Sequence, residues 1–180
     1  MIQECSKTGK QFGIPAVIND KVNDMGTLME IKEISKLHDN GEMDIKTRGI
    51  KVFRILEVVK EIPGKLYSGA IVNYPHNEES GNRALMITVV RAIRELHAFL
   101  KVSKDFKKPD EDLWSYDVAH HAGLSLEEEY ELLQLLHELQ RQEYLKRHIA
   151  KVLPMLGEME TLKERVKLNG HFKNLSGFDL

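Results

Sequence analysis

Residues 36–58, which read KLHDNGEMDIKTRGIKVFRILEV, predict a β-hairpin. The Asp39-Asn40-Gly41 segment supplies residues that tolerate a positive φ, as a tight turn between two strands requires. After this turn, apolar and charged residues alternate from Met43 to Arg48, which is the pattern of a half-buried strand. Gly49 is expected to end that run. From Ile50 to Val58 apolar side chains fall on both faces, so this segment is expected at the centre of a sheet and the run before it nearer an edge.

The sequence on either side of the hairpin predicts further strands. Upstream, Met29 and Ile31 share one parity and Ile34 has the other, which indicates a β-bulge near Lys32 and Glu33. The other predicted strands are residues 12–18, interrupted at Pro15, and residues 66–73, after a Pro63-Gly64-Lys65 turn. These segments together predict a curved antiparallel sheet.

From about residue 78 the apolar period changes from two to about three and a half, which predicts helices. One helix is expected to bury a face that consists of Met86, Val89, Ile93, Leu96 and Leu100. A short helix over 113–122 is expected to end at Gly123. Ser125 and Glu128 match a capping box at the start of the next helix. That helix is expected to continue through Tyr130, Leu133, Leu136 and Leu139 or Gln140.

The last helix is predicted from about Gln142 to Lys167, with a kink at Pro154 and an end at Asn169-Gly170. The order of the elements therefore predicts an α+β fold. Residues 1–77 are expected to make a β-rich subdomain, and residues 78–180 a helical one.

The composition limits the possible functions. The chain has 180 residues, 42% hydrophobic and 30% charged residues and a formal charge of −2, which is typical of a soluble globular protein. This balance gives no general attraction to nucleic acid or to an anionic membrane. No apolar run approaches the roughly 20 residues of a membrane helix, and residues 1–12 lack a signal-peptide pattern. Cys5 is the only cysteine, so the sequence predicts a cytoplasmic protein without an internal disulfide.

The sequence contains no convincing catalytic motif. Neither KTGKQFG nor PGKLYSG has the first glycine and the Ser or Thr of a phosphate-binding loop. The HELQR segment has Arg141 where a zinc-protease helix needs its second histidine. His120 and His121 point in different directions on a helix, and a surface pair of His121 with Asp117 is preferred to a metal site. Cys5 is interpreted as a small hydrophobic residue rather than a nucleophile, and Ser103-Lys104 as part of a charged loop. No cofactor and no metal are predicted.

Several segments together resemble a known family. FGI at 12–14, GTLMEI at 26–31, the hairpin, LYSGAIV at 66–72 and LSLEEEYELLQLLHELQRQEYLKRHI at 124–149 resemble the N-terminal substrate-binding domain of Lon proteases. The resemblance implies a PUA-like β half, a helical bundle and recognition of unfolded or tagged polypeptides, without the ATPase and peptidase domains of Lon. The chain opens inside the first helix of that pattern, so the strand that precedes it in the family is expected to be missing. The sheet edge left open is expected to self-associate or to bind an extended peptide.

Five side chains are candidates for peptide binding: Leu66, Tyr67, Tyr74, Trp114 and Tyr116. Packing explains most aromatic residues, but exposed ones at the junction of the two halves would anchor a peptide.

Three classes of function remain open. The protein-binding module leads, acting alone or as the accessory subunit of a separate ATP-dependent protease. A PUA-like RNA-binding module is disfavoured by the charge, and a hydrolase by the missing motifs.

Overall fold

The computed structural model describes the backbone of residues 1–173 and the side chains of residues 1–167. An antiparallel sheet is followed by helices, which confirms the predicted α+β class. The chain divides into two compact units. The first consists of Met1–Glu79 with Ser125–His137, and the second of Ser80–Leu124 with the chain from Glu138 onward.

The first unit is built on a four-stranded antiparallel meander in which each strand pairs with its neighbour in the chain. Its elements are α1 (Ile2–Thr8), β1 (Phe12–Ile18), β2 (Lys21–Leu37), β3 (Met43–Val59), β4 (Gly69–Asn73) and α4 (Leu126–Gln134). The order β1-β2-β3-β4 leaves β1 and β4 at the two edges.

Two turns set the register of strands β1, β2 and β3. The predicted turn is confirmed, since the Gly41 amide donates to the His38 carbonyl at 2.9 Å and Gly41 has a φ of 87°. A second turn joins β1 to β2 through Asn19 and Asp20, with φ values of 50° and 59°. Two consecutive positive φ values are the mark of a two-residue hairpin turn, and Asn and Asp tolerate them better than most residues.

The long hairpin confirms one prediction about its strands and corrects another. Ile31 pairs with Thr47 and Glu33 with Lys46, so Lys32 is an extra residue and forms the predicted bulge. Strand β3 runs from Met43 to Val59, so it does not end at Gly49, but the alternation is interrupted there, because Leu28 pairs with Lys51 and Met29 with Gly49, which leaves Ile50 as an extra residue. A Cβ atom at Gly49 would lie 3.1 Å from Thr27 Cγ2, so glycine also gives room for a close approach of the two strands.

The core of the first unit lies on both faces of the sheet. Val52 and Phe53 are adjacent in β3 and both are buried, which confirms the central position expected for this segment. Phe53 covers Gly26, where an added Cβ would lie 2.5 Å from the ring. Met25 is completely buried, and its amide donates to the hydroxyl of Tyr130 on α4 at 3.4 Å. The helix α4 therefore completes the core of the sheet unit.

The second unit is helical. Its elements are α2 (Arg83–Phe99), a 3₁₀ turn (Asp110–Asp112), α3 (Ser115–Val118), a 3₁₀ turn (Ala119–His121) and α5 (Glu138–Lys173). The predicted buried face of α2 is confirmed at Met86, Val89, Ile93 and Leu96. It is wrong at Leu100, which is about half exposed because it follows the last helical residue as the C-cap.

The boundary between α4 and α5 differs from the prediction. The confirmed capping box starts α4, with the Glu128 amide donating to Ser125 Oγ and the Ser125 amide to the Glu128 carboxylate. The helix does not continue to Leu139 or Gln140 but ends at Gln134, because the Glu78 amide donates to the Leu136 carbonyl at 2.7 Å and holds the chain extended there.

The last helix is longer than predicted. It begins at Glu138 rather than Gln142, and it contains Pro154. The expected end at Asn169-Gly170 is wrong, since the helical backbone continues to Lys173.

Candidate polypeptide-binding surface

Residues 60–68 connect β3 to β4 and form a closed loop, called here the 60–68 loop. Pro63 and Gly64 occupy the two central positions of a turn in which the Lys65 amide donates to the Ile62 carbonyl at 3.0 Å. Gly64 has a φ of 73°, as the third position of a type II turn requires. The Ser68 hydroxyl donates to the Lys60 carbonyl at 3.0 Å and closes the neck of the loop. Strand β4 consequently begins at Gly69, so the strand predicted from residue 66 is wrong over its first three residues.

A carboxylate on α1 holds the tip of the 60–68 loop. The Lys65 ammonium donates to Glu4 Oε2 at 2.6 Å, and the Tyr67 hydroxyl contacts the same oxygen at 3.5 Å. The hydrogen bond from Lys65 lowers the pKa of Glu4, and that same bond raises the pKa of Lys65. Both shifts favour the charged pair at neutral pH, so the residues on either side of Leu66 are fixed to the first helix.

Leu66 itself is fully exposed, although both of its neighbours are anchored. The loop surrounds an open cavity with a volume of about 590 Å³, which is lined by the loop's own residues, 60–68. Ile62 covers the start of β4, since a Cβ at Gly69 would lie 2.8 Å from Ile62 Cδ1. A fixed backbone that presents a large apolar side chain to solvent is the geometry of a binding anchor, because little entropy is lost when the side chain is covered.

Strand β4 is the open edge of the sheet beside this loop. Among residues 1–173 it pairs only with β3, and its outer edge receives no backbone hydrogen bond. Ile71 in the strand and Tyr74 just after it are each about half exposed, and Lys51 Nζ lies 6.0 Å from the Tyr74 ring centre. The opposite edge, β1, is less suited to adding a strand because Pro15 lacks an amide and its register is interrupted there.

We call the outer edge of β4, together with Leu66, Tyr67, Ile71 and Tyr74, the β4 edge surface. Three of the five predicted residues thus flank one strand edge in the first unit. Ile71 was not singled out from the sequence, because alternation in a short strand does not show which edge of the sheet that strand occupies.

Trp114 and Tyr116 lie in the second unit, and both rings are stacked on arginines. The Arg83 guanidinium lies 5.1 Å from the Trp114 ring centre, and its Nη1 donates to the Leu113 carbonyl at 2.7 Å. The Arg141 guanidinium lies 4.2 Å from the Tyr116 ring centre. These contacts give both aromatic residues a packing role within their own unit.

Arg141 belongs to a buried polar network that was not predicted from the sequence. Glu138, Arg141, Gln142 and Ser115 are each at most 2% exposed. The Glu138 carboxylate accepts from the Ser115 amide and hydroxyl at 3.0 and 2.5 Å, from Arg141 Nη2 at 2.9 Å and from Gln142 Nε2 at 3.0 Å. Gln142 in turn accepts from the Asn82 amide at 3.0 Å, so the network ties the starts of α2, α3 and α5 together.

Charged residues are expected at the surface, so burial of this set was not predicted. The one available signal was the spacing of Glu138 and Arg141, which puts an acid and a base on the same side of a helix. The network is fully hydrogen-bonded and enclosed, and this supports a structural role.

His97, His121 and Cys5 take part in packing. The predicted pair of His121 with Asp117 is wrong, because Asp117 pairs with Lys108 at 2.8 Å. His121 instead lies edge-on to Phe106, and burial lowers its pKa. Its carbonyl accepts from His97 Nε2 at 2.9 Å. Cys5 is buried, and no group of three potential metal ligands occurs among the residues that the structure describes.

An open strand edge beside exposed apolar side chains is a place where an extended peptide can add as a further strand. The chain belongs to the family of the ATP-dependent protease La (LON) substrate-binding domain, whose family model matches residues 1–151. It is thus a substrate-binding module of Lon type. A comparison with curated protein sequences gives no match.

Solved structures share the fold. The chain is similar to a Lon N-terminal domain protein from Xanthomonas campestris, with 20% identity, a TM-score of 0.57 and coverage of 81% of this chain and 80% of the other. It is also similar to the N-terminal domain of the Mycobacterium avium complex Lon protease, with 15% identity, a TM-score of 0.57 and the same coverage of 81% and 80%. Over the described residues, no helix combines the length and apolar character needed to cross a membrane.

Proposed function

We propose that this protein binds unfolded or tagged polypeptides, without catalysing a reaction, and that the β4 edge surface is where it binds them. The observation that carries the proposal is the fully exposed Leu66 held beside a strand edge that has no partner among the described residues. Membership of the Lon substrate-binding family supports the class of ligand.

Strand addition suits a ligand that has no fixed structure. An extended peptide that pairs with β4 gains main-chain hydrogen bonds irrespective of its sequence. Leu66 and Ile71 would then add affinity for apolar side chains, which an unfolded polypeptide exposes and a folded one buries. The same edge would accept a strand from a second copy of the chain, so self-association at this edge is expected to compete with peptide binding.

The proposal includes the absence of ATP hydrolysis and of peptidase activity in this chain. A separate ATPase or protease would supply those steps, with this protein as its accessory subunit. The sequence lacks a phosphate-binding loop, which supports the proposal. A cytoplasmic location is proposed with it, because one cysteine forms no internal disulfide.

The test is a titration of a reduced and alkylated model polypeptide, which cannot fold, with the full chain. Fluorescence anisotropy of the labelled polypeptide measures binding at each step. The folded, disulfide-intact form of the same polypeptide is the comparison. Binding of the unfolded form alone is expected, and equal binding of both forms would contradict the proposal. ATP turnover or peptide cleavage that co-purifies with the chain would contradict its non-catalytic part, whether or not it survives Cys5→Ser.

Variants locate the binding site. Leu66→Ala removes the exposed anchor, and Ile71→Lys puts a charge on the edge strand; each is expected to weaken binding by about fivefold to tenfold. Leu126→Ala is the matched control, since Leu126 is a 66% exposed leucine on α4 of the same unit. If all three variants bind as the unchanged protein does, the ligand binds elsewhere.

A further inference from the structure

The second half of α5 carries a stripe of large apolar side chains that are open to solvent. Met155, Met159, Leu162 and Val166 are 63%, 55%, 61% and 63% exposed. They follow one another at spacings of four, three and four residues, and half-buried Val152 extends the stripe by three more. Alternating spacings of three and four are the heptad repeat of a coiled-coil seam.

Within the described residues, nothing covers this stripe. Each residue from Glu158 to Lys167 is exposed, so this part of α5 has no packing neighbour among residues 1–167. Helices of this length are marginal in water unless an apolar face is buried. The stripe also lies beyond residue 151, where the match to the substrate-binding family ends. It therefore lies outside the segment that defines the family.

We propose that a second copy of this chain covers the stripe, in a parallel and in-register two-stranded coiled coil. In this heptad, Val152, Met159 and Val166 take the a positions, and Met155 and Leu162 take the d positions. A β-branched residue at a with leucine at d favours two strands over three or four. The proposal is independent of the proposed function.

Charges beside the seam specify the parallel arrangement. Glu158 takes a g position, and Lys163 takes the e position of the next heptad. In a parallel, in-register dimer each Glu158 faces Lys163 of the other helix, which gives two attractive pairs. Lys163 has an intrahelical contact with Glu160 at 3.7 Å, but both side chains are more than half exposed, so this weak pair would not prevent the exchange.

The residues least suited to a helix lie away from the seam. Pro154 takes a c position and Gly157 an f position, both on the side of the helix that a dimer leaves in solvent. From Glu158 to Lys167 the helix has three acidic and three basic residues. A balanced face has no preference for an anionic lipid surface, so another protein helix fits the stripe better than a membrane does.

The test is sedimentation equilibrium of the full chain over a range of concentrations. The unchanged protein is expected to form a dimer, and Leu162→Asp is expected to lose it. Circular dichroism checks that the variant keeps its fold, as expected for an exposed position. A monomer at every concentration, or a dimer that Leu162→Asp leaves intact, would overturn the proposal.

Charge exchange tests the orientation. Glu158→Lys alone and Lys163→Glu alone each place like charges across the seam and are expected to weaken the dimer by about tenfold. An equimolar mixture of these two variants restores both attractive pairs and is expected to form heterodimers as tightly as the unchanged protein forms homodimers. No gain on mixing would overturn the parallel register. Leu162→Asp should bind the unfolded polypeptide with unchanged affinity per chain, so failure here is distinguishable from failure of the proposed function.

Discussion

Replacing Glu138 by glutamine is expected to destabilise the second unit by about 4 kcal/mol, the typical cost of removing one member of a buried ion pair. The side chain keeps its shape, but Arg141, which is only 1% exposed, loses the negative charge of the carboxylate that lies 2.9 Å from its Nη2. The new amide also brings donors where the carboxylate accepted from Ser115 and Gln142. Because domains are commonly stable by 5–15 kcal/mol, this is a large fraction of the total.

Equilibrium unfolding in urea, followed by circular dichroism at 222 nm, measures the loss. With a slope of about 2 kcal/mol per molar, the midpoint is expected to fall by roughly 2 M. The double variant Glu138→Leu, Arg141→Leu removes both charges and is expected to be more stable than Glu138→Gln, because neither charge of this pair then stays buried. The reasoning is refuted if Glu138→Gln costs less than about 1 kcal/mol, or if the double variant is the less stable of the two.

Three further substitutions test the local geometry, each by urea unfolding. Tyr130→Phe removes the hydroxyl that donates to Asp24 at 2.6 Å and is expected to cost about 1 kcal/mol. Burial raises the pKa of Tyr130, and the hydrogen bond to Asp24 raises it further. The stability that the hydroxyl contributes is therefore complete below the ordinary tyrosine pKa of about 10 and is lost as the pH rises through the raised pKa. A stability difference from Tyr130→Phe that persists unchanged at higher pH would contradict this. Lys101→Gly is expected to stabilise the protein by about 1 kcal/mol, because Lys101 has a φ of 55°, which glycine adopts at lower cost. This residue lies just after α2 in a Schellman motif, in which the Val102 amide donates to the His97 carbonyl. A loss of stability would show that the lysine side chain makes a stabilising contact. Gly26→Ala is expected to destabilise the protein by about 3 kcal/mol, because its Cβ would lie 2.6 Å from a backbone carbonyl oxygen. The control Gly157→Ala has open space around its Cβ and is expected to stabilise the helix. Equal effects of the two substitutions would refute the steric explanation.

Features determined by a few neighbouring residues were predictable from the sequence. The turn at Gly41, the bulge at Lys32 and the capping box of Ser125 and Glu128 each follow from residue types at fixed short spacings. The buried face of α2 follows from a helical period that holds for several turns.

Features determined by contacts distant in the sequence were not predictable. Gly49 looks like a strand breaker until Thr27 is placed across from it. The end of α4 depends on a hydrogen bond from Glu78, which lies nearly sixty residues away. The burial of Glu138 depends on Ser115 and Arg141 arriving at the same place. In each case tertiary packing overrides the local preference.

The candidate site falls between these two cases. Leu66, Tyr67 and Tyr74 were selected as candidates for peptide binding at the junction of the two halves, and in the structure they flank β4. Their common attachment to a strand edge was not predictable, because it depends on the closure of the 60–68 loop and on Glu4, which lies in a helix more than fifty residues earlier.

The position of α4 late in the chain affects when, during synthesis, the sheet can complete its core. Met25 is covered in part by Tyr130, and residues 125–137 belong to the same unit as the sheet. A nascent chain that has left the ribosome only as far as residue 124 thus carries all four strands but not the helix that completes their core. We expect the sheet to remain vulnerable to proteases until about residue 137 has emerged, and a fragment cut after residue 77 to aggregate instead of folding. We therefore expect that the β half can be isolated only together with residues 125–137.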